Sequence, residues 1–141
     1  MAERALEGVR VVEFTDEAGS YCGKLLAELG ADVIKVEPPG GGLQRNAAPF
    51  VTGHEGEPDA SLAFWVQNTS KKSVVLDLET EAGRAAAKKL ALSADIVLED
   101  NPVGFLAERG LGYVQLHAEK PSLVYTSVTG FGQTGPHANW V

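Results

Sequence analysis

The feature that most constrains this fold is an alternation of short apolar runs, rich in β-branched residues, with segments of helical periodicity. The apolar runs span residues 9–14, 32–37, 73–78, 95–99 and 122–128. Between them lie predicted helices at residues 20–29 and 80–93, a short helix or apolar plug at 61–67, and one or two short helices within 103–119. Such alternation is typical of βαβ units, whose strands pair in parallel beneath crossover helices. The sequence therefore predicts an α/β fold, a Rossmann-like parallel sheet with helices on both faces.

Local signals mark the ends of the predicted helices. Gly30 is placed to cap the C-terminus of the first helix, because glycine readily adopts the left-handed conformation needed there. Thr80 is placed to cap the N-terminus of a later helix, with Glu81 in a first turn that favours a carboxylate. Residues 38–60 are rich in glycine, proline and polar side chains, and they predict a long loop.

Two predictions concern burial. Phe64 and Trp65 are expected to fill part of the core, because large aromatic side chains carry much apolar surface. Cys22 is expected to be a buried structural thiol, since no histidine lies near it in the sequence to activate it.

Composition and charge exclude several functions. The chain has 141 residues, which is the size of one domain, and its 12 Lys+Arg against 19 Asp+Glu give a net charge of -7. A nucleic-acid partner is not expected, because a general basic footprint is missing. The apolar runs fall far short of the ~20 residues of a membrane span, so a membrane partner is not expected either. The single cysteine fits a reducing compartment, which predicts a cytoplasmic protein, and no metal site is predicted.

Candidate site residues follow the predicted strands, because ligands of open parallel sheets bind beyond the carboxyl ends of the strands. Residues 15–20 lead into the first helix, whose N–H groups can hold an anion, whereas Asp16 and Glu17 favour a plain helix start. The dinucleotide glycine fingerprint is missing there, which disfavours a nicotinamide enzyme. Residues 99–102 (EDNP) place two acids at a strand end, which suits a metal, an acid/base pair or an ordinary Asx turn.

Two further segments have side chains suited to a ligand. Residues 68–73 combine Lys71 and Lys72 with hydroxyl and amide groups, a composition that suits phosphate binding and also a solvated turn. Residues 130–136 (GFGQTGP) set Phe131 between glycines. The backbone there can approach a ligand closely and Phe131 can stack on it, although many purely structural loops share this pattern.

Four motifs occur in order along nearly the whole chain: LEGVRVV at residues 6–12, LLAELGADVIKVEPPGGG at 25–42, KKSVVLDL at 71–78 and SVTGFGQTGP at 127–136. Together they resemble the family III CoA-transferases, also called the CaiB/BaiF type, which include formyl-CoA transferase, carnitine CoA-transferase and α-methylacyl-CoA racemase. The resemblance implies a Rossmann-like large domain in an interlocked homodimer or a hetero-oligomer, with CoA lying over the carboxyl edge of the sheet.

The resemblance also implies a reaction. CoA would pass from an acyl-CoA to a small carboxylic acid through an aspartate that forms an acyl anhydride and then an aspartyl-CoA thioester, with no permanently bound cofactor. This aspartate is expected just beyond Val141, so residues 1–141 are interpreted as the N-terminal part of the enzyme, without the family's second domain. One alternative is a non-catalytic half or subunit of a tandem or heteromeric transferase. An acyl-CoA racemase ranks last, because none of the histidines can be matched to the base it needs.

The resemblance assigns CoA contacts to several residues of this chain. It assigns no catalytic residue to residues 1–141. The predicted contacts are Glu17, Ala18, Asn68, Lys71, Lys72, Asp100, Asn101, Gly130 and Phe131. The chain departs from the family pattern at Pro38, where a CoA-contacting arginine often stands, and at Glu108, which takes a second arginine's place beside Arg109. Asp100 and Asn101 are contact positions with changed chemistry. Each lost cation or added acid beside a polyphosphate costs on the order of 1 kcal/mol or more in a partly buried site.

Overall fold

The computed structural model describes residues 4–57 and 59–140, which form a five-stranded sheet with strand order β3-β2-β1-β4-β5. The strands are β1 (Arg10–Phe14), β2 (Asp32–Glu37), β3 (Lys72–Val75), β4 (Ile96–Glu99) and β5 (Val124–Ser127). All neighbouring strands pair in parallel. The predicted Rossmann-like α/β architecture is confirmed.

The helices lie where the alternation of the sequence places them. They are α1 (Ser20–Glu28), α2 (Leu62–Gln67), α3 (Glu81–Ser93), α4 (Phe105–Glu108) and α5 (Tyr113–Glu119), and a 3₁₀ turn (Leu43–Asn46) lies in the long loop. Both predicted caps are confirmed, because Gly30 has a φ of 109° and the Thr80 hydroxyl accepts a hydrogen bond from the Gly83 N–H at 3.0 Å. The predicted strand at residues 73–78 ends earlier, at Val75, because Asp77 begins the turn that leads to Thr80.

Apolar side chains pack on both faces of the sheet. On one face, α3, α4 and α5 cover a core cluster that includes Val12, Phe14, Val36, Ala87, Ala91, Val97, Leu106 and Leu116. On the other face, α1 covers a smaller cluster formed by Val11, Ala27, Ala31, Val33 and Leu98. Side chains alternate between the two faces along a strand. Glu13 and Lys35 come two positions after Val11 and Val33, so they lie on this second face and point towards α1.

The predictions of burial in α1 and α2 are wrong. Trp65 is 52% exposed, and Cys22 is exposed instead of being a buried thiol. Phe64 is only half-buried and packs beneath the guanidinium of Arg45, 4.0 Å from the ring centroid. The exposure of Cys22 follows from the layer of charged side chains beneath α1. The helix lies against this layer with its small residues, and most of its larger side chains are exposed. The buried residues of α1 are Ser20, Gly23 and Ala27.

The predicted long loop after β2, in which Pro58 lies outside the described residues, is fixed to the sheet by the carboxylate of Glu37. Arg45 donates to both oxygens of Glu37, at 2.6 and 2.8 Å, and also donates to Asp59 at 2.6 Å. The Ser73 hydroxyl and the Gly42 N–H donate to the same carboxylate. Burial alone would raise the pKa of Glu37, but these donors lower it from an ordinary 4.5 to about 2.

This carboxylate predicts an acid-sensitive stability. Because the pKa of Glu37 is lower in the folded protein, the charged group stabilises the fold above about pH 4.5, and this contribution is lost as the pH falls towards about 2. Glu37→Gln is expected to lower the free energy of unfolding by about 2 kcal/mol at pH 7 and by much less at pH 3. Urea unfolding of both proteins at the two pH values measures this, and an equal loss at both would contradict it.

Candidate functional site

Two cavities open at the carboxyl edge of the sheet. The chain runs from β1 outwards through β2 to β3 and then returns to add β4 and β5 on the other side of β1. The topological switch point of the sheet is therefore the gap between the ends of β1 and β4, where the loops that follow these strands diverge. Both cavities are lined by residues that follow these two strands, and we refer to them as the acidic cavity and the aromatic cavity.

The acidic cavity has a volume of about 190 Å³ and lies over the ends of β1, β2 and β3. Its floor is apolar, with Phe14, Val36, Leu76 and Phe105. Its ionisable lining is dominated by acids: Asp16, Glu37, Asp77, Glu79 and Asp100, with Lys35 as the one basic lining residue described. Arginines pair with two of these acids, Glu37 and Glu79. The other acids repel anions, so the cavity suits an uncharged, flat or apolar group better than a bare polyphosphate.

The aromatic cavity has a volume of about 510 Å³ and lies over the ends of β1, β4 and β5. Its walls come from Ala18 in the loop after β1, residues 100–103 after β4, and residues 128–130 with 138–140 from the glycine-rich segment. Trp140 lines it and packs edge-to-face against Phe131, with ring centroids 5.7 Å apart. The mixture of apolar walls with a few amide and hydroxyl groups is typical of a ligand site.

Carboxylates bound to backbone N–H groups join the loops around both cavities. Asp100, after β4, accepts from the Asp16 N–H at 2.8 Å and from the Gly19 N–H at 3.0 Å. Asp16 in turn accepts from the N–H groups of Leu43 at 2.9 Å and Gln44 at 3.3 Å. The sequence predicts that Asp16 and Glu17 stabilise the start of α1, but in the structure the carboxylate of Asp100 accepts from the N–H groups that precede this helix.

A buried charge cluster lies between the sheet and α1. Glu13 and Lys35 are direct cross-strand partners, and Glu13 Oε1 lies 3.6 Å from Lys35 Nζ and 2.7 Å from Lys71 Nζ. Lys71 Nζ also donates to Ser20 O at 2.7 Å and to Asn68 Oδ1 at 3.0 Å. Burial lowers the pKa of Lys71, and Glu13 opposes this by favouring the charged form. The cluster fixes the first turn of α1, beside both cavities, to the sheet.

The predicted contact residues divide into two groups, and one group meets at the cavities. Ala18, Asp100, Asn101 and Gly130 line the aromatic cavity, and Asp100 and Asn101 line the acidic cavity as well. Phe131 is 53% exposed beside Trp140, and Glu17 is exposed in the loop next to Ala18.

The other group lies just before β3 and at its first residue. Lys72, the first residue of β3, is exposed and forms an ion pair with Asp32, the first residue of β2. Lys71 is buried, with its ammonium group bound to three acceptors. Asn68 is half-buried and donates to Gln44 Oε1 at 3.0 Å. The assignment of CoA contacts to these three residues stays a prediction, and in this conformation Lys71 offers no free donor to a phosphate.

One of the two residues that depart from the family pattern borders the acidic cavity. Pro38 lines it and is exposed. Glu108 is exposed on α4, and the neighbouring Arg109 forms an ion pair with Glu79 at 2.6 Å while stacking 3.8 Å above the Phe105 ring. The nearby arginine is thus already bound to an acid of the cavity lining.

Several residues important to the site were not identified from the sequence. Glu13 and Lys35 had a detectable signal, because each is a charged residue at the fourth position of its strand, directly between two apolar residues. A charged residue inside a buried parallel strand requires a partner, and the two opposite charges share one register. The contacts of Asp16 and Asp100 had no local signal, because each joins loops distant in sequence.

Two features are absent from the described residues. In residues 4–57 and 59–140 no helix is long and apolar enough to cross a membrane. The same part of the chain contains no group of three or more His, Cys, Asp or Glu side chains arranged to hold a metal ion.

Comparisons with known proteins agree with one another. The chain is 44% identical over 138 residues to succinate–glutarate CoA-transferase of Agrobacterium fabrum, an alignment that covers 96% of this chain and 34% of that protein. It is 43% identical to a subunit of succinyl-CoA:(R)-benzylsuccinate CoA-transferase of Thauera aromatica, covering 92% of this chain and 31% of the relative. A crystal structure of a CaiB/BaiF family protein from Brucella suis superposes with a TM-score of 0.89 at 40% identity, covering 99% of this chain and 37% of that one.

The chain thus spans about a third of the length of the curated relatives that it matches. The family model described as CoA-transferase family III matches residues 6–141, which is nearly all of the sequence. The four motifs, the five strands and the residues that line the two cavities all lie within this range. The chain belongs to CoA-transferase family III.

Proposed function

We propose that this chain is the CoA-handling N-terminal part of an acyl-CoA:carboxylate CoA-transferase. The observation that carries the proposal is the pair of cavities at the switch point, lined by loops after all five strands in a chain of this family. A long, thin thioester such as an acyl-CoA needs an extended site, and adjoining cavities at one sheet edge supply it.

The ligand would contact residues that already line the cavities. Ala18, Asn101 and Gly130 present small or amide groups at the aromatic cavity, and Phe131 with Trp140 supplies an aromatic wall. Lys71, together with Glu13, would act indirectly by holding the loop that carries Ala18 in place. Lys72 would contact ligand only if the phosphates extend towards the amino side of β3, where it pairs with Asp32.

The chemistry would be completed by an aspartate outside this chain. Its carboxylate attacks the thioester carbonyl and expels the CoA thiolate, which leaves an acyl anhydride on the aspartate. The thiolate then attacks the aspartyl carbonyl, releases the donor acid and forms an aspartyl-CoA thioester. An acceptor carboxylate repeats the two steps in reverse and leaves as its CoA thioester, so the aspartate is regenerated.

A second candidate is a non-catalytic half or subunit of a heteromeric or tandem transferase. The observation that favours it is that the relative from Thauera aromatica is itself a subunit of a CoA-transferase. An acyl-CoA racemase is the third candidate. In each case the protein would act in the cytoplasm on acyl-CoA and a small acid without a permanent cofactor, as an interlocked homo-oligomer or with a partner subunit.

Filling the aromatic cavity tests the proposal. Ala18→Phe places a ring in the cavity from an exposed loop position, and we expect CoA binding measured by calorimetry to weaken at least about tenfold. Ala85→Phe, at an exposed position of α3 away from the cavities, is the matched control and should bind CoA like the unmodified protein. Equal affinity of all three proteins, or no CoA binding by the unmodified protein, would contradict the proposed site.

A further inference from the structure

The carboxylate of Asp100 occupies a position in which backbone N–H groups could otherwise bind an anionic ligand. Two N–H groups of the loop between β1 and α1 point at one place, and the Asp100 carboxylate occupies it, with contacts of 2.8 and 3.1 Å to the Asp16 N–H and 3.0 Å to the Gly19 N–H. Backbone N–H groups before a helix are donors that an anionic ligand would otherwise receive. A ligand phosphate therefore finds these donors already used.

The negative charge of Asp100 is held beside the ligand path. Asp100 and Asn101 are the residues after β4 that line both cavities, so the Asp100 carboxylate stands where the two cavities meet at the switch point. Within residues 4–57 and 59–140, no lysine, arginine or histidine lies within ion-pair distance of Asp100. The carboxylate is half-buried, so bulk water screens it only partly.

We propose that Asp100 is a specificity-determining residue that excludes anionic groups from the junction of the two cavities, so that only an uncharged part of a thioester ligand crosses it. This inference rests on the proposed CoA-handling function. It implies that the phosphates of CoA bind outside the junction, and that the amide-containing pantetheine arm lies across it next to Asn101. Removing the charge should favour phosphate-bearing ligands selectively.

The test compares a charged with an uncharged ligand. Asp100→Asn and Asp100→Ser keep an acceptor oxygen for the loop N–H groups but remove the charge. We expect each to raise the affinity for CoA about fivefold and to change the affinity for pantetheine less than twofold, both measured by calorimetry at low salt. Asp95→Asn is the matched control, because Asp95 also accepts from a backbone N–H, that of Arg10 at 2.9 Å, but at the amino edge of the sheet. This control should change neither affinity.

Measurements at several salt concentrations test the role of charge, and unfolding measurements check that the variants are folded. The CoA advantage of both Asp100 variants should shrink as salt is added, because screening weakens the repulsion that they relieve. Urea unfolding shows whether each variant is folded. If Asp100→Asn does not fold, Asp100→Ser provides the comparison. Unchanged CoA affinity in a folded variant, or an equal gain for pantetheine, would overturn the role of Asp100 while leaving the CoA site intact. Absence of binding of either ligand to every protein would overturn the proposed function as well.

Discussion

Replacing Gly23 by alanine is expected to destabilise the protein by about 3 kcal/mol or more. A methyl group at this position of α1 would lie 1.7 Å from Glu13 Oε2 and 3.2 Å from Lys71 Nζ. The carboxylate cannot move aside, because Lys71 holds its other oxygen at 2.7 Å and the group is fully buried. The helix must therefore lift from the sheet or the ion pair must break, and urea unfolding measures the loss.

The sign of this effect makes it informative. A glycine-to-alanine change inside a helix normally stabilises by roughly 0.5–1 kcal/mol, because alanine has the higher helix propensity. Cys22→Ala on the same helix is the control, since Cys22 is exposed, and it should change stability by less than about 0.5 kcal/mol. A Gly23→Ala protein as stable as the unmodified one would show that Glu13 does not pack against α1 as described.

Neutralising Lys71 is expected to cost about 3 kcal/mol, whereas the same change at the adjacent Lys72 should cost less than about 1 kcal/mol. Lys71→Met leaves the buried Glu13 with only Lys35, whose ammonium lies 3.6 Å away, and it removes the donor to Ser20 O. Lys72→Met removes an exposed ion pair with Asp32. Thermal and urea unfolding of the two variants give the comparison.

This pair of variants also separates structural and ligand-binding roles. If Lys71 were a free phosphate contact, Lys71→Met would weaken CoA binding with little loss of stability. We expect instead a large loss of stability for Lys71→Met and a small one for Lys72→Met. Equal, small effects of the two substitutions on unfolding would contradict the buried cluster.

The strands and helix ends could be predicted because their signals are local. The second strand, at residues 32–37, is confirmed at both ends, and Gly30 and Thr80 cap helices as predicted. The exposure of Trp65 could not be predicted, because it depends on which neighbours α2 meets in the fold. Exposure of Cys22 has the same origin, since the charged layer beneath α1 admits only small residues of that helix.

The candidate site was partly predictable for a related reason. Loops after parallel strands meet at one edge whatever their sequence separation, so Ala18, Asp100 and Gly130 could be grouped from the strand pattern and the family resemblance. Side-chain partners were not predictable in this way. Lys71 looked like an exposed phosphate contact beside Lys72, but adjacent residues point in opposite directions, and one of the two lysines is buried against Glu13.

The position of CoA tests the account most directly, and backbone amide NMR of the isotopically labelled chain during CoA titration measures it. We expect the largest shift changes at Ala18, Asn101 and Gly130, around the aromatic cavity, and changes near zero at the ends of α3 and α5 away from the carboxyl edge. Shift changes centred on the amino ends of the strands, around Asp32 and Lys72, or no change on addition of CoA, would contradict a CoA site at the switch point of this sheet.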